Sequence, residues 1–571
     1  MKYQELLDTW LNNAVEDTDL IEELNSVKSE EDQVIDRFYR ELEFGTGGLR
    51  GVIGAGTNRM NIYTICKATQ GIAQYLNDTV KNASVAIAYD SRIKSDLFAR
   101  KAAEVFAGNG IKVYIYKELM PTPMLSFAVR RLNCDAGVVV TASHNPSKYN
   151  GYKVYGNDGC QLTLEASEYV LGIIETVDIF TGVKKADFDT AVADGLIRFI
   201  EEDTVEAYLT EVEKRSINTE ILKSSDMKVI YTPLNGTGNK PVRAILDKIG
   251  IKNVTIVKEQ ELPDGNFPTC PFPNPEIRQV FECAIELAKD IQPDLLLATD
   301  PDCDRVGIAV LHQGEFILMS GNEVGAMLLD YVLRERTANG TLPKNPIAVK
   351  TIVTTDIAAL IAKKYNCEII DVLTGFKFIG EQIGLLEAKG EEDRFVFGYE
   401  ESYGYLAGSY VRDKDAVVAS MLICEMAAFY KKQNKTLIDV MNGLYSEFGM
   451  FRHTQLNVTC EGMSGMARMA EIMTELKSIS PAQIGGLKVL SIVDYDASTQ
   501  KDIVTGEVKP IDLPKSNVIS FKLENDGGSI VRPSGTEPKI KIYITAKAQT
   551  AEIATEISEK IAADTKKLMG V

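Results

Sequence analysis

No apolar run in the 571-residue sequence approaches the roughly 18–20 residues of a membrane-spanning helix. The opening stretch, MKYQELLDTWLNNAVEDTDL, turns acidic at once and lacks the apolar stretch of a signal peptide. The cytoplasm is therefore the expected location. Basic residues are in deficit, 62 Lys+Arg against 81 Asp+Glu, which leaves a formal charge of −19. So acidic a chain is not expected to track nucleic acid or an anionic membrane through its overall field. Small molecules, metals or proteins remain as partners, and an anionic ligand needs a locally positive site. The nine cysteines stand singly, without a Cys-x-x-Cys pair and in odd number, which reads as reduced thiols and not a disulfide framework. The one tryptophan, Trp10, reads as a packing anchor.

What is present is ordinary globular chemistry: 45% hydrophobic and 25% charged residues exclude wholesale disorder. The length suits three or four domains of roughly 100–200 residues each. Apolar positions at helical spacing (Leu6, Leu7, Trp10, Leu11, then Val34, Ile35, Phe38, Tyr39) predict two amphipathic helices in the first forty residues. Three later stretches share one plan of strand, loop, helix, Gly/Asn stop and strand, the pattern of a βαβ unit. They begin at SVAIAYD (84–90), KVIYTP (228–233) and IAVKTIV (347–353). From Leu456 short strands interleave with two long helical patterns, MARMAEIMTELK and AEIATEISEKIAADTKKL, which implies a smaller α+β domain. The expected fold is thus three similar α/β domains with mixed sheets, at 1–205, 206–325 and 326–450, followed by an α+β domain at 451–571. No low-complexity linker separates them, so the domains are expected to pack together.

Four segments carry chemistry. The strand AGVVVTA stops in Ser143-His144-Asn145-Pro146, which exposes a hydroxyl at a sheet end, where open α/β sheets bind ligands. The same residues also compose an ordinary turn. The adjacent Ser-His pair is not expected to act as a hydrolase dyad, because neighbouring side chains rarely point at each other, and G-x-S-x-G is absent. In LLLATDPDCDRVGIAV an apolar strand ends in Asp300, Asp302 and Asp304. Crowded carboxylates need a cation, and hard oxygen ligands suit Mg²⁺; Arg305 excludes an EF-hand, whose turn glycine belongs there. RFVFGYEESYGYL offers Glu400 and Ser402 as hydrogen-bonding groups for vicinal hydroxyls, though a Tyr-rich turn is an equal reading. In SIVRPSGTEPKIKIYI, Arg532, Ser534, Gly535 and Thr536 combine a guanidinium, hydroxyls and flexible backbone that can converge on a phosphate, without Walker A spacing. A hydroxyl nucleophile, a metal site, a hydroxyl reader and a phosphate clamp together describe phosphoryl transfer on a polyhydroxy substrate.

FGTGGLRG, TASHNP, DPDCDR, GYEESYG and RPSGTEP, in this order along nearly the whole chain, resemble the α-D-phosphohexomutase superfamily, within it the long phosphoglucomutase type near the phosphopentomutase and glucose-1,6-bisphosphate synthase branch. The resemblance implies interconversion of glucose 1-phosphate and glucose 6-phosphate through a phosphoserine at Ser143 and a glucose 1,6-bisphosphate intermediate. It also implies Mg²⁺ held by Asp300, Asp302 and Asp304 against Ser143. Arg50 and Lys153 would stand beside the phosphoserine, Lys153 as a proton carrier, with His144 an acid or base candidate. Arg305 would steady the charges. Thr374, Gly375, Lys377, Glu400, Ser402 and Lys414 would meet substrate, and Arg532, Ser534, Gly535, Thr536 and Lys541 would grip the phosphate that is not transferred. His312 and His453 match nothing. The implied partners are sugar phosphates, with no nucleic acid or membrane, in a monomer or weak homodimer. Phosphopentomutase and phosphomannomutase activity stay open, as does an aspartate phosphatase of the haloacid-dehalogenase type, since Asp302-Cys303-Asp304-Arg305-Val306 fits D-x-D-x-[TV]. A sensor that kept the fold without catalysis is the remaining reading.

Overall fold

A computed structural model describes residues 2–45, 47–460, 463–534 and 539–571. It separates into two compact units, one of residues Met1–Gly321 with Ile379–Thr436, the other of Asn322–Phe378 with Leu437–Val571.

The first unit opens with three helices, Lys2–Asn13, Thr18–Val27 and Glu31–Phe38, where the sequence predicts two. The unforeseen helix lies in an acid-rich run whose buried positions are Leu20 and Leu24, with Ile21 half-buried beside them. Asp17 caps the helix by accepting from the Asp19 N–H. Trp10 is the packing anchor expected of it, 1% exposed and edge-on to Phe38, Tyr63 and Phe180.

Beneath these helices runs a mixed sheet in the order Gly48–Val52, Tyr149–Gly156, Ala136–Val140, Ser84–Tyr89, Lys112–Tyr116, Ile197–Ile200. The first two pairings are antiparallel and the others parallel. Runs such as AGVVV are buried at every position, as a strand covered on both faces requires. A second sheet follows the order Glu315–Met319, Val306–His312, Leu295–Thr299, Lys228–Thr232, Asn253–Ile256, and is parallel only between its last three strands. The unit is completed by the antiparallel pair Phe395–Glu400 and Gly404–Leu406 and by the buried helix Ala416–Lys431, whose N-cap is Asp415.

In the second unit, strands Ile347–Thr351 and Glu368–Val372 lie parallel across helix Ile357–Lys364. With the parallel pairs 84–89/112–116 and 228–232/253–256, all three predicted βαβ units are formed. The tail is an antiparallel sheet in which Met450–Thr459, Lys539–Ala548, Gly528–Pro533, Ile519–Leu523 and Leu487–Asp494 pair in turn. Helices Met463–Ser478 and Ala551–Leu568 pack against it around Ile472, Leu476, Val531, Ile542 and Ile561. A hairpin, Thr499–Asp502 with Val508–Pro510, has no apolar alternation to announce it; the Asp502 carboxylate accepting from Val504 and Thr505 closes its turn. A separate cluster joins Ile352, Val353 and Leu373 to Val493, Tyr495, Val518, Ile530 and Tyr543, so the tail shares a core with the third βαβ unit.

Candidate active site

Ser143 lies just past strand Ala136–Val140, in the left-handed region at φ 52° and only 3% exposed. Its N–H donates to Thr141 Oγ1 at 2.8 Å, and its hydroxyl donates to Asp300 Oδ2 at 2.8 Å. The same Oγ lies 3.1 Å from His144 Nδ1. The expectation that adjacent Ser and His side chains do not meet is therefore corrected: the positive φ turns both side chains toward one point. His144 packs edge-on against Phe272, and burial, helped by the Arg305 and Arg50 charges, holds its pKa well below the usual imidazole range.

The serine turn rests on two residues that sequence reasoning missed. Arg92 is buried, and its guanidinium donates to the carbonyls of Ser143 and Asn145, of Pro146 at 3.0 Å and of Tyr149 at 3.1 Å. Asp90 pairs with Arg92 and accepts from Thr141 Oγ1 at 2.6 Å and Ser95 Oγ at 2.7 Å. An acid and an arginine directly after a strand, in AYDSR, were the available signal.

The acidic loop closes on itself. Asp300 Oδ1 accepts from the N–H groups of Asp304 and Arg305, at 3.1 and 2.9 Å, and Cys303 takes a left-handed φ of 51°. One ligand oxygen from each of Asp300, Asp302 and Asp304 then lies within 4.8 Å of the others, and all three residues are buried. Asp302 Oδ1 and Asp304 Oδ1 have no hydrogen-bond partner. Burial, followed by repulsion from Asp302 and Asp304, lifts the Asp300 pKa well above the carboxylate range. Orphaned, mutually repelling oxygens are costly to bury, and this hard-oxygen set fits a divalent cation of the Mg²⁺ kind.

Three cations surround the acids. Lys153 Nζ reaches Asp302 Oδ2 at 3.0 Å and Asp304 Oδ2 at 3.5 Å. Burial works against its charge, but those two carboxylates prevail and raise its pKa. Lys414 Nζ lies 3.0 Å from Asp304 Oδ2 and 3.4 Å from Asp413 Oδ1. Arg305 donates to Glu276 at 2.9 Å and to the Ser402 carbonyl at 3.1 Å. The second of these bonds, with Val306 N–H donating to the Tyr403 carbonyl at 3.1 Å, laces the Glu400–Ser402 loop to the metal loop. Glu400 ends its strand buried, and burial raises its pKa against the pull of Lys414 and Arg305. Arg50 is exposed on the edge strand opposite Gly151, and Lys153 stands opposite Gly48 in the same pairing. Thr122 Oγ1, donating to Asp302 at 2.8 Å, and Asp413, accepting from Tyr155 at 2.7 Å, are further supports the sequence did not single out.

The remaining predicted residues belong to the second unit. Thr374 and Gly375 follow strand Glu368–Val372, and Lys377 lies in the first turn of helix Phe376–Glu387. Under that loop the buried Lys350 binds Asp356 at 3.0 Å and Asp371 at 2.9 Å. Arg532 and Lys541 face each other across paired strands, and the Ser534 N–H donates to the Lys539 carbonyl at 2.8 Å. The SIVRP part of the fourth segment is therefore strand, while Gly535 and Thr536 lie outside the described residues.

Comparison with known proteins gives the family. Residues 41–179, 206–314 and 320–448 match the phosphoglucomutase/phosphomannomutase alpha/beta/alpha domains I, II and III, and residues 495–563 match the C-terminal domain of the same family. The chain belongs to the α-D-phosphohexomutase superfamily. It is 38% identical over 550 residues to the phosphoglucomutase of Staphylococcus saprophyticus, covering 96% of this chain and 97% of that one. With the phosphoglucomutase of Staphylococcus epidermidis it shares 38% over 557 residues, 97% and 99% of the two chains. Among solved structures, the open form of Paramecium pp63/parafusin (phosphoglucomutase) aligns with a TM-score of 0.66 at 18% identity, over 93% of this chain and 96% of that one. A phosphoglucomutase/phosphomannomutase family protein of Burkholderia thailandensis gives 0.66 at 16%, over 92% and 97%. Both likenesses are of fold. This phosphohexomutase is an isomerase that works by phosphoryl transfer, and the aspartate-phosphatase reading of Asp302–Val306 falls away.

Proposed function

We propose that the enzyme is a phosphoglucomutase, interconverting α-D-glucose 1-phosphate and glucose 6-phosphate through phosphorylated Ser143 and glucose 1,6-bisphosphate. The supporting observation is the Ser143 Oγ to Asp300 Oδ2 contact of 2.8 Å at the mouth of a buried acid triad. Phosphoserine 143 passes its phosphoryl group to a free hydroxyl of the hexose monophosphate. The bisphosphate turns end for end, and the other phosphoryl group returns to Ser143 Oγ, so no transfer across the ring is needed. Mg²⁺ bound by Asp300, Asp302 and Asp304 would supply charge neutralisation at the phosphoryl oxygens. Lys153 and Lys414 hold positive charge at the same place. His144, kept neutral by burial, can act as a base, and Lys153, kept cationic, can donate a proton at Nζ. In this reading Glu400 and Ser402 receive the sugar hydroxyls, with Arg305 fixing their loop. Thr374, Gly375 and Lys377 contribute a substrate loop, and Arg532, Ser534, Gly535, Thr536 and Lys541 take the phosphate that is not transferred.

The proposed setting is the cytoplasm, with sugar phosphates as partners and a monomer or weak homodimer as the working form. Among the described residues no helix is long and apolar enough to cross a membrane. The test compares turnover of glucose 1-phosphate, mannose 1-phosphate and ribose 1-phosphate with Mg²⁺ and catalytic glucose 1,6-bisphosphate. Glucose 1-phosphate is expected to be the best substrate, and Ser143→Ala to abolish both turnover and phosphoenzyme. A faster mannose or ribose ester would overturn the assignment in favour of phosphomannomutase or phosphopentomutase.

A further inference from the structure

The segment PDGNFPTCPFPNPE (263–276) is neither strand nor helix, yet it reaches both the serine turn and the metal loop. Its five prolines fix much of its backbone before it packs. On the serine side Phe267 is fully buried at a left-handed φ of 48°, with the Arg92 guanidinium 5.2 Å from its ring centre. A bulky residue keeps that conformation only where its surroundings enforce it. A β-carbon on Gly265 would collide with the backbone of Arg92 and Ile93, so the chain lies tight against the residue that carries the serine turn. Phe272 then stands edge-on to His144, ring centres 6.2 Å apart. On the metal side a β-carbon on Gly307 would collide with the Pro275 carbonyl, and Asn274 Oδ1 accepts from the Glu276 N–H at 3.0 Å. Glu276 Oε1 accepts from Arg305 Nη1 at 2.9 Å.

The same Nη1 donates to the Ser402 carbonyl at 3.1 Å, so two acceptors fix the two hydrogens of one nitrogen. The rest of the guanidinium is less engaged. Its Nε has no hydrogen-bond partner and lies 3.8 Å from Asp304 Oδ1, and the Glu400 charge also acts on it. Without Glu276 these two acids are the attractions left, and turning toward them releases the Ser402 carbonyl. Backbone contacts hold Tyr403 and Gly404 beside the metal loop, but Ser402, at the tip, is held by the Arg305 side chain. A stiff chain anchored under Arg92 thus sets where Arg305 holds Ser402, and with it the distance of that loop from Ser143. Resting on the reading of Glu400 and Ser402 as receivers of sugar hydroxyls, we infer that Glu276 is a positioning residue for specificity, which through Arg305 sets the loop to tell the hydroxyl pattern of one hexose phosphate from its epimers.

Binding is measured by calorimetry in full-length Ser143→Ala, where no turnover intervenes. The probes are glucose 6-phosphate, its epimers mannose 6-phosphate and galactose 6-phosphate, and inorganic phosphate. Glucose 6-phosphate is expected to bind about tenfold or more tightly than the weaker epimer, because an inverted hydroxyl leaves groups of the site unpaired. Glu276→Leu, or Glu276→Asp with a carboxylate too short to reach Arg305, should weaken glucose 6-phosphate and bring that ratio below about threefold. Inorganic phosphate should bind all forms alike, within about twofold. Glu276→Gln keeps the reach and an acceptor oxygen, and should keep the preference. The Glu276 side chain is 33% exposed, so the fold is expected to survive each change, which thermal melting checks. A preference that survives both Leu and Asp overturns the positioning role. So does a loss of phosphate binding as large as that of glucose 6-phosphate, or a Gln variant that behaves like Leu. If the Ser143→Ala protein prefers an epimer, the glucose assignment fails, and the role of Glu276 stands or falls by whether that preference shrinks with it. If it tells no sugar phosphate from another, both fall.

Discussion

Three residues with side chains, Ser143, Cys303 and Tyr403, take left-handed backbone at φ 52°, 51° and 64°, each in one of the loops that meet at the acid triad. Such conformations cost free energy and persist only where the surroundings enforce them. For Ser143 the enforcement is Arg92, whose fork caps four carbonyls of the turn. A lysine keeps the charge but not the fork. Arg92→Lys is expected to lower kcat by roughly 10–100-fold with KM little changed, together with a loss of about 2–4 kcal/mol in stability. If stability falls and kcat does not, Arg92 supports the fold without positioning the serine. A second residue, His453, sets a pH dependence. Burial outweighs the opposing Asp356, and with Lys350 and Arg452 assisting, it depresses the His453 pKa from 6.5 to about 4. The unfolded chain therefore binds a proton between these values that the fold does not. Stability is full above pH 6.5 and falls as the pH drops toward 4. Between pH 7.5 and pH 5 the loss is on the order of 2 kcal/mol, since each pH unit below 6.5 costs about 1.4 kcal/mol. Urea melts at pH 7.5 and pH 5 check this: His453→Gln should lose less stability between them than the native chain, and an equal loss would clear His453 of the effect.

At the scale of elements, the strand Tyr149–Gly156 carries Lys153 to the acids and pairs with the edge strand of Arg50. Gly151 makes this possible, because a β-carbon there would collide with the carbonyl of Thr141, the residue that bonds both Asp90 and the Ser143 N–H. Gly151→Ala is expected to cost about 1–3 kcal/mol and, by displacing Thr141, to lower kcat as well; unchanged activity with lowered stability would show that the serine turn tolerates the shift. Elements of this kind were legible wherever period and punctuation agreed. The three βαβ units read correctly because each has a strand, a helix of 3.6 period and a Gly or Asn stop. Asp300, Asp302 and Asp304 stood out as acids on an apolar strand end. Arg92 and Asp90 give the same type of signal in AYDSR, but one acid and one arginine also make a common surface turn. Only the fold shows that this arginine is buried under Ser143. The second N-terminal helix and the tail hairpin were missed because their stripes are too short or too polar for periodicity to register.

Across the whole molecule, the repeated βαβ units and the α+β tail divided the chain into four parts with one loop each, whereas contacts gather it into two units. The difference lies in packing that periodicity cannot reveal. Alternation marks Val493, Tyr495, Val518 and Ile530 as a buried face, but not that Ile352, Val353 and Leu373 cover it. Likewise the metal loop and the Glu400–Ser402 loop, about a hundred residues apart, are bound together through Arg305. Charge follows the same logic. A chain with a net charge of −19 buries three of its carboxylates within 4.8 Å of one another and sets Lys153, Lys414 and Arg305 around them. Those cations offset only part of the repulsion, because two acid oxygens still lack hydrogen-bond partners and Asp300 is pushed toward protonation. A divalent cation should therefore stabilise the fold as well as serve the reaction. Protein stripped with EDTA and then given Mg²⁺ at a hundredfold excess over its Kd gains about 2.7 kcal/mol, a rise of a few degrees in Tm. Ser143→Ala should keep that rise while losing turnover, which separates metal binding from phosphoserine chemistry. Asp300→Asn should lose the rise yet melt no lower than the native chain without metal, because the amide removes a charge the site cannot satisfy alone. A native protein whose Tm ignores saturating Mg²⁺ would show that the three lysine and arginine cations already suffice, and that the acids are held for them and not for a metal.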